Sequence, residues 1–136
     1  MDLIFEQPET KRAPRINDLK VLLVEDDPVT RWLVRVALKG ECMLATAPDA
    51  GKAITSYHSY QPDLVLLDID LPGRDGKDLL AHLMRIDPVA YIVMFSSQDS
   101  PENIVETVQK GAKGFISKPF TKEEILKHVS SCPVMY

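Results

Sequence analysis

Leu64-Val65-Leu66-Leu67-Asp68 is a short apolar run closed by a carboxylate, and Leu71-Pro72-Gly73 follows almost at once. The pattern has a twin upstream, where Val21-Leu22-Leu23-Val24 ends in Glu25-Asp26-Asp27. Apolar runs without polar alternation mark strands covered on both faces. Two such strands would bring Glu25, Asp26 and Asp68 to one edge of a sheet. Carboxylates held that close repel one another unless a cation stands among them. That edge is where chemistry is expected.

Outward from these strands the chain alternates strand and helix. Lys20–Val24 reads as the first strand. Asp27-Pro28 then has the form of an N-cap followed by proline at the first helical position. That helix is predicted to run to about residue 39, with Val29, Trp32, Leu33, Val36 and Ala37 on one face and Gly40 as its stop. Residues 42–47 read as a second strand, about 49–57 as a helix, and 64–68 as the third strand. The two glycines in residues 72–76 suit a loop that turns sharply. A helix over about 77–86 presents Leu79, Leu80, Leu83 and Ile86, and Asp87-Pro88 ends it. Residues 91–95 form the fourth strand and deliver Ser96 and Ser97 to its end. Ser100-Pro101-Glu102 opens the next helix, Lys110-Gly111 stops it, and Gly114–Ser117 is a short fifth strand. Thr121 and Glu124 have capping-box spacing for a last helix, which Pro133 closes.

Five strand–helix repeats predict an α/β fold, a doubly wound parallel sheet with helices on both faces. In such sheets ligands bind beyond the carboxyl ends of the strands. Asp26, Asp68, Ser96 and Lys118 all follow strands directly, so all four fall on the same edge.

The chain has 136 residues, a net charge of −4, 45% apolar and 26% charged residues, all ordinary for one globular domain. Nothing resembles a basic nucleic-acid footprint, and no apolar run approaches membrane-spanning length. Residues 1–17 mix Pro8, Pro14 and charges of both signs, so they are expected to form a poorly ordered tail. Residues 18–132 make the domain, and 133–136 are its end, with no output domain expected. Cys42 is expected to be buried and Cys132 to lie near the terminus, both as reduced thiols. His58, His82 and His128 form no ligand set.

Residues 21–28, 64–76, 91–97 and 115–120 together resemble the four signature regions of a response-regulator receiver domain, in order and with the expected spacing. The resemblance covers about residues 19–131. It implies a flavodoxin-like (β/α)5 sheet with strand order 2-1-3-4-5 and a signalling role as a phosphoacceptor rather than an enzyme. Asp68 is then the nucleophile that takes a phosphoryl group as an acyl phosphate. Hard carboxylate oxygens with room for water and phosphate suit Mg²⁺. By resemblance Asp26 and Asp68 are direct ligands, Glu25 acts through water, and the backbone carbonyl of Asp70 completes the set. Lys118, joined to Pro119 by an implied cis bond, and Ser96 contact phosphoryl oxygens, and Phe115 is the aromatic that turns inward with Ser96. Asp27 is assigned to helix capping instead. Asp70, Ser97 and Gln98 occupy positions that tune the modification, and Asp70 adds a negative charge beside the nucleophile.

The resemblance also implies partners. The donor is a sensor histidine kinase or histidine phosphotransfer protein, and the reader is a separate target protein. The face made by the fourth helix, fifth strand and fifth helix is the readout surface and would also allow a homodimer. No nucleic acid and no membrane are expected, and the location implied is cytoplasmic. Two other readings stand beside this one. Asp68-Ile69-Asp70 resembles the start of haloacid-dehalogenase-type phosphatases, although Leu71-Pro72 departs from that pattern. An adaptor of the same fold that is never phosphorylated would need no such acid set.

Overall fold

Strand β1 (Lys20–Val24) pairs on one side with β2 (Met43–Ala47) and on the other with β3 (Leu64–Leu67). Strands β4 (Ile92–Ser96) and β5 (Gly114–Ser117) complete a five-stranded parallel sheet in the order β2-β1-β3-β4-β5. This computed structural model describes residues 18–133. The expected tail over 1–17 and residues 134–136 lie outside the described residues. All of β3 and β4 is buried, as unbroken apolar runs require.

Alternate residues of each strand feed two cores. Leu22, Val24, Val65, Leu67, Ile92 and Met94 pack under α2 (Ala50–Tyr60) and α3 (Gly76–Ile86). Val21, Leu23, Leu64, Leu66, Val93 and Phe95 pack under α1 (Pro28–Leu38) and α5 (Lys122–Ser131). Helix α4 (Pro101–Gln109) buries only Thr107. A single registered sheet thus has a firmly clamped centre and a lightly held flank.

Every one of these helices starts with a side chain that accepts a backbone N–H of the first turn. Asp27, Asp49, Asp75, Ser100 and Thr121 serve α1 to α5 in that order. Each such cap is worth about 1 kcal/mol. Thr121 and Glu124 close the full capping box that their spacing predicts. The caps fix where each loop ends, and hence where the residues at the strand ends are held.

The structure changes four expectations. The α1 residues Val29, Trp32, Leu33 and Val36 are exposed, and Val34 and Leu38 face the sheet instead. Those two stand one turn apart and fill the narrow stripe that a helix lays on a twisted sheet. Ser96 is the last residue of β4 rather than a residue beyond it. The loop after β3 is a small hairpin, Asp70–Leu71 against Arg74–Asp75, with Gly73 turning it at φ +74. Cys132 is buried and Cys42 only half-buried, and both are free thiols pushed up to about 11 by burial.

Gly76 starts α3 directly against the backbone beside Asp68, donating its N–H to the carbonyl of Ile69 at 2.7 Å. A Cβ there would lie 1.9 Å from the Asp68 carbonyl oxygen. Backbone cannot give way as a flexible side chain does. Gly76→Ala should therefore lower stability by about 2 kcal/mol or more, read as a fall in the urea midpoint. An unchanged midpoint would show that α3 is free to step away from the site.

Candidate functional site

The acids at the sheet edge are held by ladders that continue past the strands. Glu25 donates its N–H to the carbonyl of Ala47 at 3.0 Å, and Asp68 to that of Val24 at 3.1 Å. Both residues are almost fully enclosed, at 1% and 4% exposure, whereas Asp26 is exposed. One carboxylate oxygen from each of Glu25, Asp26 and Asp68 lies within 4.8 Å of the others. Among the described residues this is the group of ligating side chains that could hold a metal ion. Its all-oxygen donors fit a hard divalent cation such as Mg²⁺. Asp27 turns away and accepts from Thr30 N at 3.1 Å and Thr30 Oγ1 at 2.6 Å, so it caps α1 as expected.

Lys118 reaches into this group from the end of β5. Its Nζ lies 2.5 Å from Glu25 Oε1 and 3.0 Å from Asp68 Oδ2, and it sits over the Phe95 ring at 5.1 Å. Burial alone would lower the ammonium's pKa, but the bonds to Glu25 and the charge of Asp68 outweigh it and hold the group above its ordinary value. Burial pushes the Glu25 carboxyl up, while the Lys118 bond and the Asp27 N–H pull it back. Lys118 N–H also donates to the Ser96 carbonyl at 3.1 Å, and the bond from Lys118 to Pro119 is cis, as the resemblance implies.

Ser96 is fully buried, and its Oγ accepts the N–H of Gln98 at 3.0 Å. Asp70 places its N–H 3.3 Å from Asp68 Oδ1, while its side chain points outward and accepts from Gln98 Nε2. Phe115 is half-buried and packs on the core beneath α2 and α3. A groove of about 530 Å³, lined by Thr30, Leu33, Ser97, Lys118, Pro119 and Phe120, opens beside the cluster.

Two contributors escaped the sequence reading. Arg31 donates from Nη1 to the carbonyls of Glu25, at 2.9 Å, and Asp26, at 2.8 Å, and so fastens the acidic loop to α1. Lys77 reaches across to α4, donating to Asn103 Oδ1 at 3.1 Å and Glu106 Oε1 at 3.0 Å. An arginine one turn after an acidic loop is the only signal for the first. Nothing local marks the second.

This geometry can be set against known proteins. The signature described as "Response regulator receiver domain" matches residues 21–130. The chain belongs to the response-regulator receiver family. A chemotaxis protein CheY of Halobacterium salinarum is 37% identical over 82% of this chain and 93% of its own length. The CheY of Listeria monocytogenes is 35% identical over 80% and 93%. Among solved structures, Vibrio cholerae CheY4 superposes with a TM-score of 0.79 at 26% identity, covering 85% of this chain and 99% of its own. A complex of CheX, CheY, BeF3 and Mg from Borrelia burgdorferi gives 0.78 at 30% identity, over 86% and 90%. The receiver fold and the strand order expected from the sequence hold. No described helix is long and apolar enough to cross a membrane.

The receiver's two enclosed carboxylates depend on one ammonium. The raised folded value of Lys118 keeps its contribution complete at neutral pH, and it fades only as pH climbs through that value. Glu25 has the same sense in a different range: its raised carboxyl favours the fold below its ordinary range, and that gain is lost as pH rises through the raised value. Lys118→Met strips the cation away and should cost about 3 kcal/mol near neutral pH. The loss should shrink at mildly acid pH, because the raised Glu25 carboxyl takes up a proton more readily than a free one. Urea unfolding at both pH values, with divalent ions chelated, checks this, and equal losses would remove Lys118 as the neutralising group.

Proposed function

We propose that this receiver accepts a phosphoryl group on Asp68 from a phosphohistidine partner and signals through a changed protein-binding face. The observation that carries the reading is the Lys118 ammonium on Asp68 Oδ2, within a group of three carboxylates at the strand ends. A carboxylate oxygen of Asp68 attacks phosphorus, the phosphorus–nitrogen bond of the donor breaks, and the imidazole leaves with its electron pair. Asp26, Asp68 and the Asp70 carbonyl are the proposed holders of Mg²⁺, with Glu25 acting through water. Bound there, Mg²⁺ would neutralise charge on the transferring group. The Borrelia complex contains Mg together with BeF3, which mimics a phosphoryl group, and this supports Mg²⁺ at the corresponding acids here.

Lys118 then exchanges one carboxylate contact for a phosphoryl oxygen, as a flexible point charge can. The Ser96 hydroxyl donates to a second oxygen, and Phe115 follows it inward. Because these groups sit on the β4 and β5 units, the face that changes is α4-β5-α5, where Val105 and Val108 are already exposed. That face would meet a separate target or a second copy of the chain. The groove beside Lys118, bordered by exposed Leu33, gives the donor an apolar surface next to Asp68. We place the protein in the cytoplasm, the location that membership of the receiver family implies.

Incubation with Mg²⁺ and a small acyl phosphate, followed by intact-mass measurement, tests the assignment. One added phosphoryl group is expected, absent in Asp68→Asn and reduced in Asp26→Asn or without Mg²⁺. A phosphoryl group retained by Asp68→Asn would move the acceptor elsewhere.

A further inference from the structure

The side of α1 that turns away from the sheet is apolar and bare. Val29, Leu33 and Val36 recur at spacings of four and three, so they form one stripe, and they are 62%, 45% and 54% exposed. The groove beside Lys118 begins at Leu33 and carries the apolar surface on to Pro119 and Phe120. A contiguous exposed apolar patch marks a place where something binds. The charges around the stripe are of one sign. From Pro28 to Gly40 the charged residues are Arg31, Arg35 and Lys39, with no acid among them. Arg31 is engaged with the carbonyls of Glu25 and Asp26, whereas Arg35 and Lys39 are exposed. An occupant of this surface must therefore be apolar at its centre and acidic at its flanks.

The chain itself contains such a segment. Asp2-Leu3-Ile4-Phe5-Glu6 is an apolar triplet between two acids, and Asp2, Glu6 and Glu9 are the charged side chains of the first ten residues. The segment enters the domain on the matching side. Leu19 is buried in the core beneath α1 and α5, and its carbonyl accepts the Met43 N–H at 2.8 Å. The chain thus arrives at the amino edge of the sheet, where β1 begins and α1 ends. Residues 6–17 span up to about 40 Å when extended. Helix α1, with 11 residues, is only about 16 Å long. Reach therefore sets no limit on where along α1 the triplet lies. Tethered in this way, it meets the helix at an effective concentration of about millimolar, so a weak contact is enough to seat it. A second copy presenting the same face would instead set Arg35 and Lys39 against their own kind.

We propose that Leu3, Ile4 and Phe5 of the same chain lie along the stripe of Val29, Leu33 and Val36, with Asp2 and Glu6 toward Arg35 and Lys39. Trp32 stands about 100° round the helix from Leu33 and stays in water on the far side of the stripe. The seated segment covers Leu33 at the mouth of the groove. A protein donor must then displace it, whereas a small acyl phosphate need not. That consequence rests on Asp68 being the phosphoacceptor, but the contact itself does not.

Amide NMR of the full chain tests the contact. Ile4→Ser combined with Phe5→Ser should shift the signals of Val29, Leu33 and Val36 and leave those of α3 in place. A peptide of residues 1–9 added to that variant should move the same signals back. The unaltered chain, its stripe already filled, should not respond until the peptide is at least about tenfold more concentrated. Asp2→Lys with Glu6→Lys should release the segment, and adding Arg35→Glu with Lys39→Glu should seat it again. Unmoved stripe signals in the serine variant, no response of that variant to the peptide, or equal responses of both chains overturns the proposal. Stripe signals that change on dilution would mean a segment supplied by a second copy, and would overturn the internal contact. None of these measurements involves a phosphoryl group, so failure of the contact and failure of the Asp68 assignment are seen separately.

Discussion

Parallel strands all finish at the same edge, so a sheet that ends several of them in acids gathers like charges where water is being excluded. Lys118 resolves that conflict by reaching Glu25 and Asp68 with one ammonium. The contacts join residues 93 and 50 positions apart. The acidic edge laid down by β1 and β3 is thus completed only by the last strand of the sheet. Until β5 docks, Glu25 and Asp68 have no cation of their own, and the edge favours water or a divalent ion over burial. One long-range ion pair therefore ties the order of the site to the closure of the whole sheet.

The same edge separates a fixed half from a movable half. On the fixed side, Arg31 clasps the acidic loop by its carbonyls, and Gly76 lets α3 abut the backbone of Asp68. On the other side, α4 contributes one buried residue, and its loop depends on hydrogen bonds rather than apolar packing. Hydrogen bonds can be exchanged for new partners at small net free energy, whereas a packed core cannot be rearranged piecemeal. A change of charge at Asp68 will therefore be felt along β4, α4 and β5 before it is felt along α3. The division follows from how each element is attached and requires no special flexibility of the chain.

Much of this was legible in the residues. The buried strands announced themselves as unbroken apolar runs, and the helix starts at Asp27, Ser100 and Thr121 follow from local chemistry that needs no tertiary context, whereas the caps Asp49 and Asp75 were not marked as such. Asp26, Asp68 and Lys118 share an edge because each follows a strand, and Ser96 joins them because it ends one, at places that topology then brings together. The α1 face was not legible because that helix is apolar nearly all round. Val29, Trp32 and Leu33 are as hydrophobic as Val34 and Leu38, and only the sheet's position chooses between them. Arg31 and Lys77 were missed for a related reason: their partners are carbonyls and side chains brought near by packing, and no spacing encodes such approaches. The hairpin at Asp70 was hidden because its strands are two residues each, too short for any periodicity.

The exposed face of α1 has an optical consequence. Trp32 is the only tryptophan in the chain, and it is 60% exposed on the helix that borders the groove beside Lys118. Its indole already meets water in the native state, so loss of the fold alters its surroundings little. The indole's emission should therefore change less on unfolding than that of a buried tryptophan, and it would report a molecule that came to lie on α1.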